Sequence, residues 1–141
     1  MNKSVHEDIR IEREGIEEIL RLHVETTESI DRSRTKVTFD VGSRSVGMGP
    51  SERDVTVFNS ASVETVTPIA SDDVLKVLGN RTFRFTADDV TRAISAYVCK
   101  ARGVDRSAVL TRLDLQDRHQ GDYGGYEGPS LTGAVATIKI Q

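Results

Sequence analysis

The chain has 141 residues, 37% hydrophobic and 29% charged, with a net charge of −3. That length fits a single compact domain with a modest core, and the charge excludes any bulk attraction to nucleic acid or an acidic membrane surface. No apolar run nears the ~20 residues of a membrane span, the first residues lack a signal-peptide core, and a lone Cys99 excludes an intrachain disulfide, so a cytoplasmic protein that does not meet membrane is expected.

In chain order, the first stretch, "SVHEDIRIEREGIEEILRLHVE", is ambiguous. Ser4 and Glu7 would open one long helix as a capping box. Sliding the chain over itself by 74 residues favours another reading. Between Ile9 and Gly47 this shift gives eight identities in 39 positions, among them Arg10 with Arg84, Val24 with Val98, Asp31-Arg32-Ser33 with Asp105-Arg106-Ser107, and Asp40 with Asp114. Residue usage alone would give roughly two or three. The partner of the ambiguous stretch is "RTFRFTADDVTRAISAYVCKARG", where Phe83-Arg84-Phe85 alternates as a strand and Thr86 caps a helix with Asp88 and Asp89 in its first turn. Ile9-Arg10-Ile11 is then a strand, and the helix starts near Arg13.

Ile16, Ile19, Leu20 and Val24 form the apolar stripe of this first helix. The sequence "IDRSRTKVTFDV" predicts a turn and an alternating strand through Val37, Phe39 and Val41. A 12-residue loop, "GSRSVGMGPSER", leads back into the strand "DVTVF". Residues 61–80 are expected as an insert, with "SVETVT" extending the strand and "SDDVLKVLGN" forming a two-turn helix capped by Ser71 and ended by Gly79. The second unit repeats the order. A strand at Phe83–Phe85 precedes a helix with Val90, Ala93, Ile94, Tyr97 and Val98 on one side and Gly103 at its end. The strand "VLTRLDL", an 18-residue loop, "QDRHQGDYGGYEGPSLTG", and the strand "AVATIKI" follow.

The expected fold is α+β: one domain over 1–141 built by internal duplication from two β-α-β-β units, 8–60 and 81–141, with helices on one face of largely antiparallel sheet. An exposed apolar sheet face or edge would make it a homodimer.

Candidate sites follow from the loops. Arg44 and Arg53 stand in the first, and Arg118, His119, Tyr123 and Tyr126 in the second, among glycines that permit close approach of a ligand. Arginine pairs with phosphate and tyrosine stacks on a base, so a nucleotide or nucleic acid is one class of partner and a protein surface the other. No spacing matches a P-loop or a dinucleotide fingerprint. Arg32 and Arg106 are secondary candidates, as a related pair able to grip an anion. The Asp and Ser beside each also make a simple turn, by bonding nearby backbone. His6, His23 and His119 show no metal-site spacing, no serine stands in a nucleophile elbow, and the carboxylates are scattered, so no metal, cofactor or catalytic residue is expected.

The stretch "RTFRFTADDVTRAISAYVCKARGVDRSAVLTRLDL", with the later "GAVATIKI", resembles small accessory proteins encoded by bacteriophages. About 60 residues carry the likeness. It implies a viral, non-enzymatic protein in the host cytoplasm that binds and inhibits a host defence protein, or that sequesters a ligand. It supplies no site residues.

Overall fold

The computed structural model describes residues 5–69, 77–117, 119–120 and 125–140. Strand β1 (Val5–Glu12) runs directly into helix α1 (Arg13–Glu28), followed by β2 (Thr35–Val46) and β3 (Arg53–Ile69). Then come β4 (Val77–Phe85), helix α2 (Ala87–Arg102), β5 (Val109–Gln116), a short ribbon of β6 (His119–Gln120) and β7 (Tyr126–Glu127), and β8 (Ser130–Ile140).

Both helices begin where the sequence places them, and their ends are made in partly different ways. At α2 the Thr86 hydroxyl accepts from the Asp89 N–H at 3.1 Å, and the Asp89 carboxylate accepts from the Thr86 N–H at 3.0 Å. These two bonds satisfy donors that a helix start leaves open. Glu12 holds the matching place before α1 and makes no side-chain cap. Gly103 ends α2 with φ +65°, a backbone conformation natural to glycine. Ser29 ends α1 at φ +58°, a stop that composition does not reveal.

Two three-stranded antiparallel sheets form, ordered β1-β8-β5 and β2-β3-β4. The pairing crosses between the two halves of the chain. β1 pairs with β8 from Val5 opposite Ile140 to Glu12 opposite Gly133, and β4 pairs with β3 from Ile69 opposite Val77 to Ala61 opposite Phe85. Each half thus lends its first strand to the sheet of the other. Each sheet also carries one bulge. The register slips between Asp40 and Val41, leaving Asn59 without an opposite residue, and between Asp114 and Leu115, leaving Thr132 so.

Strand register sets the core. Rows of large–small–large side chains cross each sheet, Phe39–Ala61–Phe85 in one and Leu113–Ala134–Ile11 in the other. The central alanines let the helices approach closely. Ile16, Leu20 and Val24 of α1 and Val90, Ile94 and Val98 of α2 pack there, nearly all solvent-free, with Val63, Ala136 and Ile138. At the edge of this core the hydroxyls of buried Ser95 and half-buried Thr111 bond at 2.6 Å, so neither is left unpaired.

Two expectations change and one is extended. The strand expected at Ile9–Ile11 runs from Val5 to Glu12, because its alternation lets the whole segment join β8. Residues 61–69 complete β3 and 77–80 open β4, so most of the expected insert is sheet; a helix reaching Gly79 is excluded because Gly79 pairs with Thr67. Residues 70–76 lie outside the described residues. The first loop shrinks to residues 47–52, since Gly42–Val46 continue β2 and Arg53 begins β3.

Candidate functional site

Each Asp-Arg-Ser is the turn its residue types suggest. Asp31 accepts from the Ser33 N–H and hydroxyl, both at 2.8 Å, and Asp105 accepts from the Arg106 N–H at 2.9 Å and the Ser107 hydroxyl at 3.0 Å. Each aspartate thereby caps a single 3-10 turn. The bonds from Ser33 hold the Asp31 carboxyl below its ordinary value. The arginine in the middle of each turn is free to point elsewhere, and both point into clefts.

The clefts lie between the helices, which run side by side in opposite directions. His23, late in α1, stands beside Asp89, Arg92, Ala93 and Ala96 of α2, with Arg84, Phe85 and Arg106 completing a cleft of about 440 Å³. Tyr97, late in α2, stands beside Gly15, Glu18, Ile19 and Leu22 of α1, with Ile11 and Arg32 completing one of about 200 Å³. Adding 74 to Ile11, Gly15, Glu18, Ile19, Leu22 and Arg32 gives Phe85, Asp89, Arg92, Ala93, Ala96 and Arg106, and adding it to His23 gives Tyr97. The two clefts are matching places with different contents.

The size difference has a simple origin. Ile19 and Leu22 fill the smaller cleft, and alanines replace both in the larger one. Only the larger lies within the ~300–1,000 Å³ range usual for small-molecule sites.

The electrical difference is sharper. Arg32 is neutralised: its Nε lies 3.2 Å from Glu25 and its Nη1 3.8 Å from Glu18. At the matching positions the second half carries Cys99 and Arg92. Arg106 therefore shares its cleft with another arginine, and the one hydrogen bond that its guanidinium makes among the described residues, at 3.3 Å, goes to the neutral Arg92 carbonyl. Arg84 has neither ion pair nor hydrogen bond among the described residues. Its counterpart Arg10 spans β8 to reach Asp114, lying over Gly133, where a Cβ would come 2.7 Å from its Nη2. The matching place opposite Asp40 is Ser60 rather than glycine, and no Arg84–Asp40 pair forms among the described residues.

Two negative groups temper this cleft. Asp88 pairs with Arg92 at 2.8 Å, both side chains being well exposed. The Asp89 carboxyl is held below its ordinary value by hydrogen bonds from Thr86, backbone first, and less by the Arg92 and His23 charges. The uncompensated cations are thus Arg84 and Arg106. His23 meets the Phe85 ring edge-on, with centroids 5.7 Å apart and planes at 77°, beside the alanines that form the apolar wall.

The chain matches no family model, no curated protein and no solved structure. The site is therefore judged on its chemistry. Among the described residues no three His, Cys, Asp or Glu side chains gather as a metal ion would need, and no helix is long and apolar enough to cross a membrane.

The first-loop candidates do not line this cleft. Arg44 pairs with Val55 and Arg53 with Val46 across β2 and β3, so both arginines stand exposed on one face of that hairpin rather than in a flexible loop. His119 and Tyr126 fall in the β6–β7 ribbon, while Arg118 and Tyr123 lie outside the described residues. The Thr56 hydroxyl donates to the Asp117 carboxylate, setting the start of the second loop against β3. Of the site candidates from sequence that are described with their side chains, Arg32, Arg44, Arg53 and Arg106, the last alone lines the cationic cleft. His23, Arg84, Phe85 and Arg92 were passed over as helix and strand residues. The signal was present in the shifted alignment: Glu18 and Glu25 become Arg92 and Cys99, removing both carboxylates from the related arginine.

Proposed function

We propose that this protein is a non-enzymatic binding protein that takes an anionic ligand in the cleft bordered by Arg84 and Arg106. The observation that carries the reading is two guanidinium groups, without a carboxylate partner among the described residues, on an open cleft of about 440 Å³. Guanidinium groups bind phosphate and carboxylate oxygens in paired hydrogen bonds, and arginines with no internal countercharge keep that capacity for a ligand. This keeps the ligand-sequestering alternative drawn from the sequence and moves it from the glycine-rich loops to the helix–helix cleft.

The reading gains weight from a duplicated origin for the chain, which we also propose. In its favour, the helices, their left-handed ends, the Asp-capped turns and the bulges all recur 74 residues apart. On that view one cleft kept a neutralised arginine while the other lost its glutamates.

Calorimetric titration with inorganic pyrophosphate at low salt tests the binding. The expected result is one site per chain whose affinity falls as salt rises, because exposed charges are screened, and which the Arg84→Ala, Arg106→Ala double variant loses. No binding at low salt, or equal binding by the double variant, rejects the reading.

A protein partner is the second reading, favoured by Arg44 and Arg53 sharing one exposed hairpin face with no ion pair among the described residues. On the resemblance of the second half, that partner is a host protein. Loss of capture from host lysate on Arg44→Glu with Arg53→Glu, without loss of pyrophosphate binding, would support it.

A further inference from the structure

We infer that the ligand of the cationic cleft is a nucleotide, with its phosphate held by Arg84 and Arg106 and its base laid on Phe85. The inference rests on the anion-binding reading above and adds the chemistry of the rest of the ligand.

Three features ask for more than a bare anion. Part of the cleft lining is apolar: Phe85, Ala93 and Ala96. A phosphate ion alone would leave that wall in water and gain nothing from it, whereas a ligand with a flat apolar part covers it. The residue matching Phe85 in the smaller cleft is Ile11, so only the cationic cleft carries an aromatic ring at this strand position, the ring of the smaller cleft being Tyr97 at the place of His23. The matching residues Ile19 and Leu22 fill the space that Ala93 and Ala96 leave open, and that space is what a ring needs.

The polar groups suit the same ligand. His23 already meets the Phe85 ring in a T-shaped arrangement, one that aromatic pairs prefer, so two aromatic rings line the cleft for an incoming base. Asp89 stays ionised beside the ring. It repels a phosphate placed there, which sends the phosphate toward Arg84 and Arg106, and it accepts a hydrogen bond from a ribose hydroxyl or a base amino group. A nucleotide carries its anionic, hydroxyl-bearing and flat portions in that order.

The test compares ribose 5-phosphate with the four ribonucleoside monophosphates, by calorimetry at low salt on the full chain, for wild type and Phe85→Leu. At least one nucleotide should bind at least about fivefold more tightly than ribose 5-phosphate, the lower end of what base–aromatic stacking supplies. Phe85→Leu should erase that advantage and leave ribose 5-phosphate unchanged. Equal affinities for all five ligands in wild type would overturn the nucleotide while the anion reading stands. Failure of wild type to bind any of them and pyrophosphate would overturn both. Should Phe85→Leu not fold, nuclear magnetic resonance on wild type decides: ring-current shifts at Phe85 and His23 on nucleotide addition are expected, and their absence overturns base stacking.

Discussion

Replacing Arg92 with glutamate copies into the larger cleft the residue that neutralises the smaller one. At the matching place Glu18 sits 3.8 Å from Arg32, and a carboxylate introduced by Arg92→Glu should reach Arg106 in the same way. At that separation one unit charge is worth about 1 kcal/mol in a water-like dielectric, the right limit for side chains this exposed. Arg92→Glu changes the local charge by two units, so anion binding should weaken by about 2 kcal/mol, or about 30-fold. The fold should survive. Arginine and glutamate have similar helix propensities, and the exposed Arg92–Asp88 pair contributes only about 0.3–0.5 kcal/mol. The new like-charge neighbour costs about as much again, so the melting temperature should fall by only a few degrees. Calorimetry with pyrophosphate, beside a thermal melt, measures both quantities. Arg32→Ala is the control, because Arg32 is already held by Glu25 and Glu18, and it should leave affinity unchanged. A folded Arg92→Glu variant binding within threefold of wild type, or an equal loss in Arg32→Ala, would refute the argument that the missing carboxylates make the site.

Other outcomes test the frame around the cleft. Leu20 is completely buried, and Leu20→Ala should cost about 2–5 kcal/mol in denaturant unfolding by opening a cavity between α1 and the sheets. A Cβ at Gly133 would come 2.5 Å from the Ile11 carbonyl oxygen and into the Arg10 guanidinium. Gly133→Ala should therefore destabilise by about 1–3 kcal/mol, whereas Ser60→Ala in the matching strand should be nearly neutral in the same experiment. Acid unfolding should report Asp89. Its folded carboxyl sits below the ordinary value of 3.8, so the stabilisation is complete above that value and disappears as pH falls through the lowered one. Asp89→Asn should unfold at a less acid-dependent midpoint than wild type, measured by circular dichroism against pH; an unchanged acid limb would contradict that role.

Much of the architecture is legible in local pattern. The stripes of Ile16, Leu20 and Val24 and of Val90, Ile94 and Val98 define both helices, because a period near 3.6 puts them on one side whatever they pack against. Thr86 with Asp89, and Gly103, mark the ends of α2 through chemistry confined to one turn. The shifted alignment extends this to β1, where the stretch by itself left helix and strand open. Such features are determined by neighbours in the chain, so the sequence contains them whole.

Partners distant in the chain are another matter. Nothing in Val5–Glu12 says that its backbone pairs with Ser130–Ile140 rather than with the strand that follows its own helix, because backbone hydrogen bonds carry no residue label. Arg44 and Arg53 looked like loop arginines because glycines surround them, and only pairing with β3 and β2 made them strand residues. The β-α-β-β order, the capped helices and the doubled Asp-Arg-Ser turn belong to the sequence alone. The exchange of first strands, and the meeting of Arg84, Phe85, Arg106 and His23 in one cleft, were decided by tertiary structure. Packing of the Phe39–Ala61–Phe85 and Leu113–Ala134–Ile11 rows against two antiparallel helices brings these four side chains together, and no local signal could.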